Sequence, residues 1–290
     1  GTTWMQEILT LLFSRGDAVP AKTIPNWERA PWLEQIYFRD ALQDAAPRRL
    51  ITTHLPARVL APALRHSKAK VIYVARNPKD VAVSFYHFHR LAKFLPDPGS
   101  FDAFLTRFLD GTGKDRGVPG VLGLGRRAPH HPPPPPVHYG SWFEHVKGWL
   151  GQRQLLDIFY VTYEELHQVS PGVPLPPSPS PSPPGLTVPP PQDLRGTAQR
   201  LSAFLGLPLG AETLAALEQH CSFAAMRDNA MANYSLIPAE IMDHSQGRFM
   251  RKGVVGDWRD HFSPLQNSLF NRRYQEEMGD SELPARWPMA

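Results

Sequence analysis

The chain has 290 residues, of which 42% are apolar and 20% charged, a composition typical of one large α/β domain or two small ones. Its 31 Lys and Arg against 27 Asp and Glu give a net charge of +4, which is too small to indicate a nucleic-acid-binding protein and suits a site for a small polyanion. The single cysteine, Cys221, excludes an internal disulfide framework and a Cys-rich metal site, and it favours a reducing compartment.

Strand-like and helix-like segments alternate along the chain. Apolar residues at helical spacing predict a first helix, and a compact run of β-forming residues at 71–75 predicts a strand that is buried on both faces. In chain order, the predicted elements are a helix at 4–13, strands at 49–53 and 71–75, the start of a helix at 80–88, a strand at 155–161, and helices at 195–205 and 211–220. This alternation predicts a mostly parallel central sheet with helices on both faces.

Two segments differ from the rest of the chain in their proline content. Residues 113–136 hold 7 prolines and residues 169–192 hold 11, which together make 18 of the 32 in the chain. Such segments cannot build a packed core, so we expect disordered insertions within a single domain that spans residues 1–290. The alternatives are docking sites for modules that bind polyproline II helices, and artefacts of how the sequence was assembled.

Two segments offer binding sites for phosphate-like anions. Gly1, Thr2 and Thr3 open the first predicted helix, where a glycine, free backbone N–H groups and hydroxyls can contact an oxyanion. An ordinary helix N-cap is the alternative. Arg76 follows a predicted buried strand, and Ser84 lies eight residues further on in a helix. Ligands of open parallel sheets bind beyond the carboxyl ends of the strands, so both residues could hold a phosphate, with a capping turn of solvated charges as the alternative.

A histidine and a basic loop complete the set of candidate sites. His54 follows a predicted strand and suits general-base catalysis, because histidine titrates near neutral pH, although a hydrogen-bonded structural histidine fits as well. Residues 251–253 (Arg-Lys-Gly) form a loop suited to a terminal phosphate. Upstream of this loop, Cys221 and Phe223 lie in a segment that could close over a flat ring.

These motifs, in this order, resemble those of the cytosolic sulfotransferases. Residues 1–4 (Gly-Thr-Thr-Trp) match the end of that family's phosphosulfate-binding loop, and residues 54–56 match its His-Leu-Pro motif. Residues 76–80 (Arg-Asn-Pro-Lys-Asp) and the downstream Ser84 match its second anion-binding motif. Residues 251–258 match its C-terminal Arg-Lys-Gly-x-x-Gly-Asp-Trp in full. The resemblance covers nearly the whole chain outside the two proline-rich segments.

The resemblance implies a P-loop-like three-layer fold and a reaction. The family transfers a sulfuryl group from 3′-phosphoadenosine 5′-phosphosulfate (PAPS) to a hydroxyl or amine without a metal, and adenosine 3′,5′-bisphosphate (PAP) is the product. His54 would be the general base. The residues that the resemblance assigns to the donor are Gly1, Thr2 and Thr3 for the phosphosulfate, Arg76, Ser84, Arg251, Lys252 and Gly253 for the 3′-phosphate, and Trp4, Tyr163, Cys221, Phe223 and Met250 around the adenine.

Residues 27–32 (Trp-Glu-Arg-Ala-Pro-Trp) and 233–236 (Asn-Tyr-Ser-Leu) are similar to the hydroxysteroid subgroup, which implies a steroid or similar small alcohol as the acceptor. An apolar acceptor needs an apolar pocket. The candidates for its lining are Trp27, Trp32, Phe88, Trp142 and Tyr234, although ordinary core or lid packing explains each of them equally well. We expect a cytoplasmic protein with no nucleic-acid partner and no integral membrane segment, because no apolar run approaches the 18 or so residues of a membrane span.

Three features depart from the family pattern. The family carries a Lys two residues before the glycine that matches Gly1, so we expect this chain to be an N-terminally truncated member that lacks that Lys and the strand leading to it. The family's dimerisation motif is degraded at residues 259–268, where Pro264 removes a backbone donor, and we expect weakened homodimerisation. Cys221 stands where the family often has Thr or Ser, and a thiol is a weaker hydrogen-bond donor.

Three functions remain open on the sequence. The first is a hydroxysteroid-type sulfotransferase. The second is a catalytically inactive nucleotide-binding protein whose proline-rich loops recruit partners, which the absent Lys and the proline runs motivate. The third, a P-loop kinase, is disfavoured because the chain contains no Gly-x-x-x-x-Gly-Lys-(Ser/Thr) motif.

Overall fold

The computed structural model of the chain describes residues 1–35, 49–111, 139–167, 194–279, 287 and 289. Both proline-rich segments, 113–136 and 169–192, lie outside the described residues, and their predicted disorder stays a prediction. So does the single domain at 1–290.

The described secondary structure alternates as the sequence predicts, and most of its elements are helices. The helices are α1 (Thr2–Phe13), α2 (Val19–Thr23), α3 (Asn26–Arg29), α4 (Ala57–Leu64), α5 (Pro78–Leu91), α6 (Phe101–Asp110), α7 (Trp142–Leu150), α8 (Tyr163–Leu166), α9 (Leu194–Leu205), α10 (Ala211–His220), α11 (Phe223–Arg227) and α12 (Pro264–Met278). The strands are β1 (Val71–Ala75) and β2 (Ile158–Thr162), and short 3-10 helices cover His244–Gln246 and Asp257–Asp260.

The two strands pair in parallel. Val71 lies opposite Ile158 and Ala75 lies opposite Thr162, so the carboxyl ends of both strands meet at one edge. Both strands consist largely of β-branched and aromatic residues, which fit a pleated surface that is covered on both sides. Everything that follows either strand, including Arg76, therefore begins at the same edge of the sheet.

Helices cover both faces of this pair of strands. On one face, Ile72, Val74 and Phe159 pack against a core cluster whose buried side chains come from α1, α9 and α10. On the other face, Tyr73 and Tyr160 pack against a second cluster from α5, α6, α7 and α12. Because residues alternate between faces along a strand, this division confirms the predicted three layers.

Two of the predicted strands are placed differently in the structure. The predicted strand at 49–53 is wrong as an element: only Thr52 makes a bridge, to Trp32. The Thr52 N–H donates to the carbonyl of Pro31, and proline has no N–H with which a ladder could continue on that side. The strand predicted at 155–161 begins only at Ile158, because the N–H of Leu155 bonds back to Gln152 in a turn.

The helix after β1 begins two residues before its predicted start. The Asn77 side chain accepts a hydrogen bond from the N–H of Lys79, and Pro78 occupies the first turn, where its missing N–H costs nothing. Among the described residues, no helix is both long enough and apolar enough to cross a membrane.

Candidate active site

The turn after β1 combines a cation with a buried carboxylate. Arg76 leaves the strand, and its guanidinium lies over the ring of Tyr163 at 4.3 Å from the ring centroid. Asp80, one turn into α5, is 1% exposed and lies 3.8 Å from the Arg76 guanidinium. A carboxylate this deeply buried needs hydrogen-bond donors around it.

The donors to Asp80 come from the basic loop near the C-terminus. The N–H groups of Gly256 and Trp258 donate to its two carboxylate oxygens at 2.7 and 3.0 Å. Arg76 adds a second link, since it donates to the carbonyl of Val254 at 3.1 Å. The two anion-binding motifs, 178 residues apart in sequence, therefore share one edge of the sheet.

The start of α1 reaches the same edge. A Cβ on Gly1 would lie 2.7 Å from Val74 in β1 and 3.6 Å from Tyr163, so only a glycine allows this close approach. Gly1 provides no side-chain cap, and the first N–H groups of α1, at Thr2 and Thr3, have no acceptor within the helix. These groups and the helix dipole make a positive site at the carboxyl end of β1.

A group of aromatic side chains lies beside these anion sites. Trp4 packs edge-on against Tyr163, with ring centroids 5.7 Å apart. Gly253 has a φ of +67°, and a Cβ there would lie 2.1 Å from the Phe223 ring, so the loop can approach that ring only with glycine at this position. His167 fixes the loop from the far side, because its Nε2 lies 2.6 Å from the carbonyl oxygen of Gly253.

Two buried donors beside these aromatic side chains have no hydrogen-bond partner among the described residues. They are Nε1 of Trp4 and Nε of Arg76. An unsatisfied buried donor costs about 1–3 kcal/mol. Their position between the start of α1, Tyr163 and the basic loop indicates a ligand with acceptor atoms and fits the nucleotide that the sequence motifs imply.

The cations of the basic loop share one carboxylate. Arg251 and Lys252 both donate to Asp257, and Nε2 of His261 lies 3.3 Å from the same side chain. Burial opposes ionisation of Asp257, but the hydrogen bonds from Lys252 and Arg251 outweigh it and lower its pKa to about 2. The loop thus presents positive charges already held in one place.

Helix α5 faces this loop with a serine and a histidine. Ser84 is exposed, lies one turn beyond Asp80 and one turn before His87, and therefore shares their side of α5. The ring of His87 lies 5.4 Å from that of His261. Burial lowers the pKa of His87 to about 4, helped by the charges of Arg251, His261 and Arg90 and opposed by Asp257.

His54 lies in an aromatic stack rather than at the end of a strand. Its ring stacks on Trp32 at 4.5 Å and on Tyr139 at 4.4 Å. Its Nδ1 is buried, yet the side chain keeps 38% of its exposure. The two stacked rings and the burial of Nδ1 thus leave only part of the His54 ring exposed.

A neutral hydrogen-bonded chain holds the backbone of His54. His145 on α7 contacts the His54 carbonyl oxygen through Nε2 at 3.0 Å, and its Nδ1 contacts the Tyr73 hydroxyl at 2.9 Å. Since a carbonyl only accepts, Nε2 carries the hydrogen and Nδ1 accepts from Tyr73. Burial lowers the pKa of His145 and raises that of Tyr73, so both stay uncharged at neutral pH.

The predicted acceptor aromatics form one connected row, apart from Trp142. Trp27 contacts Tyr234 at 5.5 Å, Tyr234 contacts Phe249 at 4.3 Å, and Phe249 contacts Phe88 at 6.0 Å between ring centroids. The Tyr234 hydroxyl interacts with Thr3 and Trp32, and burial raises its pKa. The aromatic row therefore reaches both the start of α1 and the ring that stacks on His54.

Two predicted site residues have other surroundings, and a third, Met250, packs against the core cluster that includes Trp4 and Tyr163. Trp142 packs against Tyr274 and Trp287 near α12, because it starts α7 on the side that faces the second core cluster. Cys221 is 0% exposed within the first core cluster, and burial raises the pKa of its thiol far above the usual range. Met250 is half-buried against that same cluster.

The sequence reasoning did not assign four residues that the structure brings to the site. These are Tyr139 and His145, which contact His54, Phe249, which joins Tyr234 to Phe88, and His167, which holds Gly253. One feature of the sequence points to Tyr139: it precedes a glycine that stands next to a helix cap. In the structure its φ is +72°, a strained conformation for a tyrosine.

The comparisons with known proteins agree with this geometry. Residues 1–172 and 191–282 match the sulfotransferase domain family. The chain belongs to this family.

Individual sulfotransferases match most of the chain. It is 40% identical to human sulfotransferase 2B1 over 278 residues, which cover 96% of this chain and 63% of that protein. It is 36% identical to bovine sulfotransferase 1A1 over 297 residues, covering 100% of this chain and 83% of that protein. The chain thus spans less than two thirds of the length of the human relative.

Solved sulfotransferase-family structures share the fold. Mouse sulfotransferase SULT7A1 complexed with PAP is 28% identical, with a TM-score of 0.66 over 99% of this chain and 83% of that one. Retinol dehydratase in complex with androsterone and the inactive cofactor PAP has a TM-score of 0.72 over 100% of this chain and 80% of that one. At 22% identity the second likeness shows the fold alone. The predicted P-loop-like three-layer fold is confirmed.

We expect His87 to make the stability of this sulfotransferase domain depend on pH. The pKa of His87 is about 4 in the folded chain, against about 6.5 for an unperturbed histidine. Between these values the unfolded state binds more protons, so stability falls as the pH drops from about 6.5 to 4. His87→Asn should remove the part of this loss of stability that protonation of His87 causes. Urea unfolding at pH 7, 5.5 and 4.5 measures the difference.

The exposed His66 provides the control, since His66→Asn should keep the wild-type pH dependence. Asp257, whose pKa is about 2 in the folded chain, loses its contribution to stability mainly below pH 4. It is present in the wild type and in both variants, so its effect cancels in the comparison. If the free energies of unfolding of the wild type and His87→Asn change by the same amount between pH 7 and 4.5, His87 does not cause the pH dependence.

Proposed function

We propose that the chain is the catalytic part of a sulfotransferase that transfers a sulfuryl group from PAPS to the hydroxyl of a steroid or similar small alcohol. Family membership and the likeness to a PAP-bound relative support this. The observation that carries it is the pair of unpartnered buried donors, Trp4 Nε1 and Arg76 Nε, beside Tyr163 at the carboxyl edge of the sheet.

Each part of the donor has matching residues at this edge of the sheet. PAPS supplies the sulfuryl group and a phosphate leaving group. Gly1, Thr2 and Thr3 would bind its 5′-phosphosulfate through the N–H groups and hydroxyls at the start of α1. The 3′-phosphate would be held by Arg76, Ser84, Arg251, Lys252 and Gly253, and the adenine would lie among Trp4, Tyr163, Phe223 and Met250.

His54 has the partly exposed side chain that a general base needs. Its ring would take the proton of the acceptor hydroxyl as the oxygen attacks sulfur. The protein itself forms no covalent bond in this mechanism. Positioning and charge stabilisation supply most of the rate, as in phosphoryl transfer.

The apolar row of Trp27, Tyr234, Phe249 and Phe88 supports a flat, apolar acceptor. Its contact with Thr3 through the Tyr234 hydroxyl supports an acceptor position next to the proposed phosphosulfate residues. Trp32, between this row and His54, would orient the acceptor hydroxyl toward the base. Trp142 and Cys221 are the weakest members of the predicted site, since Trp142 packs near α12 and the fully buried Cys221 has no exposed surface for a ligand.

We also propose a cytoplasmic location for the whole protein, which cell fractionation tests.

We further propose that homodimerisation through residues 259–268 is weak. Within that segment, Ser263 caps α12 and Pro264 fills its first position, where no N–H is needed inside the helix. Phe262 packs on Phe101 and Phe270 of the same chain. The mass in solution, measured by light scattering at micromolar concentration, tests the dimer.

Arg251→Ala should weaken PAP binding by about 10- to 100-fold, because a hydrogen bond to a charged group contributes about 1.5–3 kcal/mol. Calorimetric titration of the chain with PAP measures this directly. Arg272→Ala, on the exposed side of α12, removes the same charge and should leave the affinity unchanged. Equal affinities in wild type and Arg251→Ala would discard the 3′-phosphate assignment.

His54→Ala should lower the turnover of the whole protein by a general-base factor of about 10²–10⁴ and retain PAP binding. A radiolabelled-sulfate transfer assay with a hydroxysteroid acceptor measures the turnover. If the wild-type protein binds PAP tightly but transfers nothing to any hydroxylated acceptor, the inactive nucleotide-binding alternative is supported instead.

A further inference from the structure

We propose that Gln6 is a positioning residue for the reaction: its side-chain amide holds the acceptor wall and the segment that carries His54 at a fixed distance from the start of α1. The acceptor wall is here the segment 26–33, which includes Trp27 and Trp32. The inference deepens the proposed function, because it takes His54 as the base and the start of α1 as the phosphosulfate site. It rests on a closed set of hydrogen bonds among three buried residues.

Gln6, Thr52 and Ala30 form a hydrogen-bonded triangle. The Gln6 amide donates through Nε2 to the Thr52 hydroxyl oxygen at 2.9 Å and to the Ala30 carbonyl oxygen at 3.3 Å. The Thr52 hydroxyl donates to the same carbonyl at 2.9 Å. Since a carbonyl oxygen only accepts, the nitrogen of the Gln6 amide must face it. All three residues are buried, so a shift of any one segment breaks a hydrogen bond that water cannot readily replace.

The backbone of Thr52 extends this connection toward the base. Its N–H donates to the carbonyl of Pro31 at 2.9 Å, and its carbonyl accepts from the N–H of Leu33 at 2.8 Å. Thr52 thereby pairs with Trp32, whose ring stacks on His54 at 4.5 Å. The ring that would take the proton and the ring that would orient the acceptor therefore each lie two residues from a member of the triangle.

The place of Gln6 in α1 connects the triangle to the proposed phosphosulfate residues. Gln6 follows Thr2 by four residues and Thr3 by three, so the three side chains share one side of the helix. In-line transfer requires the sulfur, the acceptor oxygen and the base to be aligned, and a displacement of about 1 Å can lower the rate about 100-fold. A buried amide one turn from the phosphosulfate residues is placed to maintain that alignment.

Gln6→Met removes the amide and keeps the length of the side chain. The ion pair between Glu7 and Arg29 still joins α1 to the acceptor wall, so we expect the fold to persist. Turnover of the whole protein with a hydroxysteroid acceptor should fall by about 10- to 100-fold, because the base is no longer held in line. PAP affinity, measured by calorimetric titration, should not change. A merely structural role would not separate these two quantities.

Thr52 offers a second way to open the triangle. Thr52→Val replaces the hydroxyl with a methyl group of similar size, and it should lower turnover as Gln6→Met does. Thr52→Ser restores the hydroxyl and should recover most of the turnover that Thr52→Val loses. The double variant Gln6→Met/Thr52→Val should be little slower than the slower single variant, because both changes break the same triangle.

Ser202→Ala is the matched control, since it removes one buried hydrogen bond, from Ser202 to the carbonyl of Leu207 at the end of α9. It should lower stability in urea unfolding without lowering turnover. If Gln6→Met and Thr52→Val behave like Ser202→Ala, the triangle is structural only and the proposal is overturned. A fall in PAP affinity that matches the fall in turnover would overturn it as well.

Proton NMR of the His54 ring gives a readout that does not depend on activity. Stacking on Trp32 and Tyr139 shifts its ring-proton signals upfield, and the spectrum of His54→Gln assigns them. We expect these signals to move in Gln6→Met and to stay in place in Ser202→Ala. If the wild-type protein transfers no sulfuryl group, the proposed function fails. Unchanged signals in Gln6→Met would then overturn the role of Gln6, and displaced signals would support it.

Discussion

The buried carboxylate of Asp80 connects the parts of this molecule that would otherwise be distant. It belongs to the turn after β1, accepts the N–H groups of Gly256 and Trp258 from the basic loop, and lies beside the Arg76 guanidinium. Burying such a charge is costly unless donors surround it, and here the donors are backbone groups whose positions fix the loop. The position of the cations in the basic loop is thus set by an acidic residue.

Other residues of the same short motif, residues 76–80, stabilise the fold. Asn77 caps α5, and the buried Lys79 donates to Asn267 and to the carbonyl of Met289 while its ammonium lies over the Trp258 ring. The motif therefore joins β1 to the basic loop and to the C-terminal segment at once. Only Arg76 directs a buried donor, its Nε, toward the candidate ligand site.

Elements whose conformation is determined by neighbouring residues could be predicted from the sequence, whereas elements that depend on contacts with distant residues could not. The start of α1, the strand at 71–75 and the Arg76 turn follow from propensity, capping and the close approach that Gly1 permits, all of which neighbouring residues encode. The predicted strand at 49–53 was wrong because its pairing depended on Pro31, eighteen or more residues away. Trp142 was placed in the acceptor pocket because composition cannot show which side of α7 an aromatic residue occupies.

The same limit explains the contacts that sequence reasoning missed. His145 reaches the His54 carbonyl from another helix, and Phe249 joins Tyr234 to Phe88 only after a loop has folded over α5. Such contacts are properties of packing between distant segments. Motifs indicate which residues carry chemistry, while the side chains that orient them become visible only in three dimensions.

The carboxylate of Asp257 has a consequence for which anions the basic loop accepts. Its single negative charge is shared between the Arg251 guanidinium and the Lys252 ammonium, so an incoming anion must compete with an internal carboxylate for these cations. A phosphate dianion competes better than a singly charged ion, because it brings more charge and more acceptor oxygens. The same carboxylate that holds the cations in place therefore favours phosphate groups over singly charged anions at this loop.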